Sequence, residues 1–139
     1  MRLGIRPTIF PPGSEWSKLR QIYGEKKIIN ERRRHRYEVN PDYIEQLAKS
    51  ALEFFGKDDK GVRMEILELK DHPWYVGVQF HPEYLSHVLQ PSRPYLGFVV
   101  AAAGCLERIS KETVMAEGHA GLHGLVNGTL SNGISGVSI

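Results

Sequence analysis

The chain has 139 residues, of which 41% are apolar and 24% are charged, a balance typical of one globular domain with a hydrophobic core rather than of a disordered chain. It contains no run of the ~18 apolar residues that a membrane span needs, and its start lacks the apolar stretch of a secretion signal, so we expect a cytoplasmic protein with no membrane contact. Its one cysteine, Cys105, excludes an intrachain disulfide and a multi-cysteine zinc site.

Positive charge is concentrated at the start of the chain. Residues 1–40 carry ten Lys or Arg against four Glu, whereas residues 41–110 carry seven against ten acidic residues. The densest part is the segment 32–36, which is Arg32-Arg33-Arg34-His35-Arg36. Such a cluster can bind phosphates or nucleic acid, and it can equally form a solvated face.

The first forty residues predict strand, helix and strand. Residues 1–10 are extended and end at a Pro-Pro-Gly turn. Ser14 can cap a short helix that continues to Tyr23 and stops at Gly24. Residues 28–39 then return as a second strand, which contains the arginines.

The middle of the chain predicts a helix, a hairpin and a buried strand. Asn40 is a good cap before the first-turn proline Pro41, which makes this the clearest helix start. Residues 52–56 and 62–69 flank a charged turn with a glycine at its end, so we expect a β-hairpin. Residues 74–80 are almost continuously apolar, as in an interior strand that is covered on both faces.

The last part predicts a buried helix and a tail. Residues 92–109 are rich in apolar side chains and alanine, so we expect a mostly buried helix, in which Cys105 is a small buried thiol rather than a nucleophile. Residues 111–139 are rich in glycine and serine and predict a flexible tail after a single unit at 1–110. Within that tail, His119 and His123 have helical metal-ligand spacing, but the glycines around them argue against a helix, so we expect no metal site. The alternation of strands and helices favours an α/β fold.

The most informative segment is the end of the apolar strand, where His81 and Glu83 stand two residues apart around Pro82. Proline removes a backbone donor and favours extended backbone at the residue before it, so the two side chains are expected to leave the chain on the same side. A carboxylate can then hold one ring nitrogen of the imidazole while the other faces a nucleophile or a substrate. This is half of a catalytic triad.

Several segments in one order resemble the C-terminal part of the class I glutamine amidotransferase domain of the CTP synthase family. They are Met1-Arg2-Leu3-Gly4, Arg34-His35-Arg36-Tyr37-Glu38-Val39-Asn40, Arg63-Met64-Glu65-Ile66, Val76-Gly77-Val78-Gln79-Phe80-His81-Pro82-Glu83 and Pro91-Ser92-Arg93-Pro94-Tyr95-Leu96-Gly97. The resemblance implies a three-layer α/β/α glutaminase domain. It implies that His81 and Glu83 are catalytic members of a Cys-His-Glu triad and that Arg36 contacts glutamine.

The resemblance also implies a larger parent enzyme. There, ammonia from glutamine would pass to a synthetase domain that uses ATP and Mg²⁺ to convert UTP to CTP, in a homotetrameric ligase of pyrimidine biosynthesis. In the family, the cysteine nucleophile precedes the Met-Arg-Leu-Gly segment, so we expect a C-terminal fragment that is inactive alone and needs no cofactor of its own. Arg33 departs from the family pattern, which usually has histidine there.

Two other interpretations remain open at this point. The chain could be a non-catalytic regulatory or binding protein derived from this domain. It could also bind phosphate or nucleic acid through the segment 32–36, in which case its affinity would fall steeply with salt.

Overall fold

A computed structural model describes residues 1–115 of the chain. Its elements are β1 (Arg2–Ile9), α1 (Lys18–Ile22), β2 (Ile28–His35), a 3₁₀ helix (Pro41–Tyr43), α2 (Ile44–Ala48), β3 (Leu52–Lys57), β4 (Met64–Leu69), β5 (Val76–Val78), a second 3₁₀ helix (Pro82–Leu85) and α3 (Arg93–Ala102). Residues 106–115 are also helical. Strands therefore occupy the positions where the sequence predicts them.

The described strands form one five-stranded sheet in the order β2-β1-β3-β4-β5. Every pairing in it is antiparallel. The β3–β4 hairpin is confirmed, with Leu52 opposite Leu69 at its open end. β1 and β3 share a single paired position, Ile9 with Lys57, so the β1–β2 pair is joined to the rest of the sheet at one end only.

The prediction of an interior strand at 74–80 is wrong for the described part of the molecule. Only Val76–Val78 pair as a strand, and β5 is the edge of the sheet with all three residues half-buried. Gly77 brings its backbone against the Leu67 side chain of β4, where an added Cβ would lie 2.9 Å from Leu67 Cγ. A run of apolar residues indicates that the side chains are packed, but it does not indicate whether the strand has a neighbour on one side or on both.

The core lies between the sheet and α1. Seven buried residues form it, and Trp16, Trp74, Val76 and Val78 pack against its border. The seven are Phe10, Leu19, Tyr23, Ile29, Phe55, Ile66 and Phe80. Phe80 is the core residue directly before His81, so the packing of the core holds the backbone at the start of the His81–Glu83 segment in place.

Helix α1 begins later than predicted. Ser17, rather than Ser14, is its N-cap, and the Ser17 hydroxyl accepts a hydrogen bond from the Arg20 amide at 3.0 Å. The buried Glu68 carboxylate on β4 accepts from the Ser17 hydroxyl and from the Lys18 and Leu19 amides at 2.6, 3.1 and 3.2 Å. A carboxylate distant in sequence therefore satisfies the first donors of this helix, which local sequence could not indicate.

The predicted start at Asn40 is confirmed, because its side chain accepts a hydrogen bond from the Asp42 amide at 3.1 Å. The first turn is a 3₁₀ helix, and the α-helical part that follows ends at Ala48. Ala51, three residues beyond this end, has a φ of 63°.

Helix α3 is shorter and more exposed than predicted. It ends at Ala102, and Gly104 adopts a φ of +67° before helical structure resumes at 106. Its buried residues are Pro94 and Gly97, while Phe98 and Val99 are 61% and 60% exposed. The apolar composition that predicted burial thus marks a surface that nothing covers among the described residues.

Residues 111–115, where the sequence predicts the start of a tail, continue the helical segment. The rest of that prediction, 116–139, lies outside the described residues, and so do His119 and His123. No helix of the described part is long and apolar enough to cross a membrane.

Candidate active site

The structure brings His81 and Glu83 together. His81 has extended backbone, with φ −106° and ψ 91°, and Pro82 then opens the 3₁₀ helix that carries Glu83. His81 Nδ1 lies 2.8 Å from Glu83 Oε1. The sequence predicted that the two side chains lie on the same side from extended backbone at His81, and in the structure a 3₁₀ turn after that extended residue brings Glu83 to it.

The electrostatics of the pair define the tautomer of the imidazole. The backbone amide of Glu83 itself and the hydrogen bond from His81 hold the pKa of the Glu83 carboxyl below its usual range, so this group is ionised at neutral pH. An ionised carboxylate can only accept a hydrogen bond, so Nδ1 carries the proton. In the neutral imidazole, Nε2 then carries the lone pair that a general base needs.

The His81–Glu83 pair is accessible from solvent, and the backbone of His81 is hydrogen-bonded to β2. The His81 and Glu83 side chains are 36% and 51% exposed, so a substrate or another protein segment can reach them. The His81 amide donates to the Arg32 carbonyl of β2 at 2.9 Å. The chain after β5 is therefore attached to the strand at the opposite end of the sheet order.

Tyr84 is a residue of this site that sequence reasoning missed. Its ring centroid lies 5.6 Å from that of His81, and its hydroxyl accepts a hydrogen bond from Arg34 at 3.2 Å. The guanidinium of Arg32 lies 5.2 Å from the same ring centroid. The signal that could have found it in the sequence is the presence of an aromatic residue directly after Glu83.

The arginine cluster divides between the two faces of β2. Along the strand, residues 29, 31 and 33 are buried and residues 28, 30, 32 and 34 are exposed, which is the two-residue period of a strand. Arg32 and Arg34 accordingly face solvent. Both interpretations of the segment 32–36, a phosphate-binding cluster and a solvated face, place Arg33 at the surface, and for this residue both are wrong because its side chain is fully buried.

Arg33 is held by an interior network. Its guanidinium donates to the Glu65 carboxylate and the Thr8 hydroxyl, and it lies 5.3 Å from the Phe80 ring centroid. Glu65 also accepts from Arg2 at 2.7 Å. Arg33 therefore contacts Phe80, the residue that directly precedes His81.

His35 adds little charge to the cluster. Both of its ring nitrogens are buried and have no hydrogen-bond partner among the described residues. Burial first, and then the nearby charges of Arg33 and Arg2, lower the pKa of His35, so the ring is neutral at neutral pH. The segment 32–36 thus presents two strand arginines and Arg36 to solvent.

Arg36 lies one residue beyond β2 and is exposed. No hydrogen bond joins it to His81 or Glu83 within the described residues. The carbonyl of its neighbour Tyr37 accepts from the Gln79 side chain at 3.1 Å, which ties this segment to the chain just before His81.

Cys105 is not the buried thiol that the sequence predicts. It follows the Gly104 turn, is partly exposed, and its sulfur donates to the Ala103 carbonyl at 3.4 Å. The helix ends before it, so the alanine run does not enclose it. Across residues 1–115 there is no cluster of His, Cys, Asp and Glu side chains that could hold a metal ion.

Comparison with known proteins identifies the class of this chain. Residues 7–100 match the family model described as glutamine amidotransferase class-I. The chain belongs to that family, and its α/β fold class is as the sequence predicted.

Its relatives within the family include CTP synthases. The chain is 65% identical to a CTP synthase of Neurospora crassa over 92% of the chain and 22% of that protein. It is 54% identical to CTP synthase 2 of Saccharomyces cerevisiae over 86% of the chain and 21% of that protein. It thus spans about a fifth of the length of the curated relatives that it matches.

A solved structure supports the same assignment. The glutaminase domain of Trypanosoma brucei CTPS with bound acivicin matches with a TM-score of 0.68 and 36% identity, covering 75% of this chain and 40% of that one. The resemblance to the glutaminase domain of CTP synthase is therefore confirmed.

Proposed function

We propose that this chain supplies the histidine and glutamate of the Cys-His-Glu triad of a CTP synthase glutaminase. The observation that carries the proposal is the 2.8 Å contact between His81 Nδ1 and Glu83 Oε1 at the accessible end of β5. It stands in a chain that belongs to the class I amidotransferases and is 65% identical to a CTP synthase.

The geometry supports a definite path for the proton. His81 Nε2 removes the proton of a cysteine thiol that lies elsewhere in the complete domain, and the thiolate attacks the side-chain carbonyl of glutamine. His81 then returns that proton to the departing ammonia, leaving a thioester. Water, activated by the same nitrogen, releases glutamate and restores the thiol, while Glu83 stabilises the imidazolium at each stage.

Arg36 is the proposed contact for the α-carboxylate of glutamine. A guanidinium is always charged and presents donors in a fork that matches a carboxylate. Its exposure leaves those donors open to a ligand, and the Gln79–Tyr37 hydrogen bond keeps its segment beside the chain between β5 and His81.

The remaining proposals concern the whole protein, and the names of its relatives suggest them. We propose a parent ligase in which a synthetase domain binds ATP and Mg²⁺ and aminates UTP to CTP with the ammonia released here. We also propose that the parent is a cytoplasmic homotetramer. Within the chain itself, no described residue is assigned to ATP or to the metal.

The apolar surface of α3 fits a role as part of a larger domain. Tyr95, Phe98 and Val99 are 49%, 61% and 60% exposed, and the glutaminase domain of the Trypanosoma enzyme is larger than the part that this chain covers. We propose that this α3 face packs against the remainder of the glutaminase domain. The chain alone then lacks both that packing and the nucleophile.

The alternative of a phosphate or nucleic-acid binder is not favoured. Burial of Arg33 and the neutral state of His35 remove two of the five cations that the segment 32–36 could have offered.

Sequencing of the transcript upstream of Met1 tests the proposal. We expect an in-frame Gly-x-Cys-x-Gly segment, which would place a cysteine nucleophile in the same polypeptide. A stop codon close to Met1, with no such segment encoded on the transcript, would contradict the proposal and favour a non-catalytic protein derived from the domain.

A further inference from the structure

Tyr84 contacts His81 through both its ring and its backbone. The ring centroids are 5.6 Å apart with an angle of 58° between the planes. The Tyr84 amide donates to the His81 carbonyl at 3.3 Å. The 3₁₀ turn that brings Glu83 to Nδ1 therefore also brings an aromatic ring to the imidazole.

Tyr84 is in turn braced by β2. Arg34 Nη1 lies 3.2 Å from the Tyr84 hydroxyl oxygen, and the Arg32 guanidinium lies 5.2 Å from the ring centroid. Both arginines belong to the exposed face of β2, where alternate residues point the same way. The Arg32 carbonyl also accepts from the His81 amide at 2.9 Å, so one strand holds both aromatic residues.

The imidazole needs this second contact. The imidazole makes its hydrogen bond to a carboxylate that is itself 51% exposed, and a side chain this exposed can move and shift Nε2 relative to the nucleophile. Small displacements of a catalytic group cost rate because the reacting atoms must meet in a narrow range of geometry. A ring packed against the imidazole restricts that rotation.

We infer that Tyr84 is a positioning residue that orients the His81 imidazole for glutamine hydrolysis, with Arg32 and Arg34 holding Tyr84 in place. The inference deepens the proposed function and rests on it. Neither the hydroxyl nor the ring of Tyr84 takes part in bond making, because the contact to the imidazole is between rings.

The test uses the complete enzyme that contains this segment and compares two variants of Tyr84. Tyr84→Leu removes the ring, whereas Tyr84→Phe keeps it. Tyr75→Leu is the matched control, since Tyr75 makes a similar ring contact, at 5.9 Å, with a different histidine, His72. For each variant, glutamine-driven and ammonia-driven CTP formation are measured over a range of glutamine concentrations.

We expect Tyr84→Leu to lower the glutamine-driven kcat roughly two- to tenfold, the range that an aromatic pair contributes. The KM for glutamine and the ammonia-driven rate should stay unchanged, because the ring binds no substrate and external ammonia bypasses His81. Tyr84→Phe should retain most of the kcat, because it keeps the ring and its contact with Arg32 and loses only the exposed hydrogen bond from Arg34. Tyr75→Leu should resemble the unmodified enzyme.

Three results would overturn the inference while leaving the proposed function intact. They are an unchanged kcat in Tyr84→Leu, a Tyr84→Phe variant as slow as Tyr84→Leu, and equal loss of the glutamine-driven and ammonia-driven rates. If instead His81→Ala keeps full glutamine-driven activity, the proposed function fails and takes this inference with it.

Discussion

Arg33 and Glu65 form an ion pair in the interior of the sheet, with side chains 0% and 1% exposed. β2 and β4, which carry these residues, are separated in the sheet order by β1 and β3. The pair therefore connects the two parts of the sheet across their sparse β1–β3 junction. The Arg33 guanidinium also lies 5.3 Å from the centre of the Phe80 ring, so the pair contacts the core residue that precedes His81.

Removal of one partner of this pair should lower the free energy of unfolding substantially. Arg33→Ala leaves the Glu65 charge buried with only Arg2 to balance it, and breaking such a pair costs roughly 3–5 kcal/mol. Arg6→Ala, at an exposed arginine of β1, is the matched control and should change the free energy of unfolding by under about 0.5 kcal/mol. Chemical denaturation of the complete enzyme checks both values, and equal stabilities for the two variants would contradict the structural role.

Substitution of Arg36 should weaken glutamine binding selectively. Loss of a charge-assisted hydrogen bond costs about 1.5–3 kcal/mol, so Arg36→Ala should raise the glutamine KM roughly ten- to a hundredfold while the ammonia-driven rate is retained. Arg6→Ala again serves as the control. Steady-state kinetics of the complete enzyme decide the point, and an unchanged glutamine KM would remove Arg36 from the site.

The 139-residue chain by itself should release no ammonia from glutamine above background. His81 and Glu83 can activate a thiol, but the one cysteine in the sequence is Cys105. Its thiol donates a hydrogen bond to the Ala103 carbonyl in the turn after α3, and we do not expect it to act as the nucleophile. A coupled ammonia assay on the purified chain and on its Cys105→Ala variant tests this. Activity that disappears with Cys105→Ala would show that Cys105 is a nucleophile after all.

The isolated chain should self-associate through the face of α3. Uncovered large apolar side chains each forgo roughly 1.5–3 kcal/mol of burial, and contact between copies recovers part of it. Sedimentation at increasing concentration should show oligomers, and Phe98→Glu with Val99→Lys should reduce them. Val62→Lys, at a 61% exposed residue outside α3, is the control. A monodisperse monomer with a cooperative, concentration-independent thermal transition would instead indicate a self-sufficient domain.

Local signals made part of this structure predictable. Asn40 before Pro41 marks a helix start through its own side chain, and the His-Pro-Glu sequence determines a contact within three residues. The hairpin between β3 and β4 is equally local. In each case the chemistry that decides the structure lies within a few residues of the feature.

The predictions that were wrong or missing concern residues whose environment is set by contacts distant in the sequence. Arg33 is buried because Glu65 and Thr8 meet it across the sheet, and the start of α1 is set by Glu68 from β4. Tyr84 was missed because its contacts to Arg32 and Arg34 require β2 to lie beside the turn after β5. The exposure of α3 was unpredictable from its composition, since an apolar helix face looks the same whether its partner is present or not.

The central claim is that His81 serves the hydrolysis of glutamine and not the synthesis of CTP. Its most direct test is His81→Ala in the complete enzyme, with CTP formation measured from glutamine and, separately, from ammonia. We predict that glutamine-driven synthesis falls by at least roughly a hundredfold, as expected for loss of a general acid and base, while ammonia-driven synthesis keeps its rate. Equal loss of both activities would show a structural role for His81, and retention of both would contradict the account.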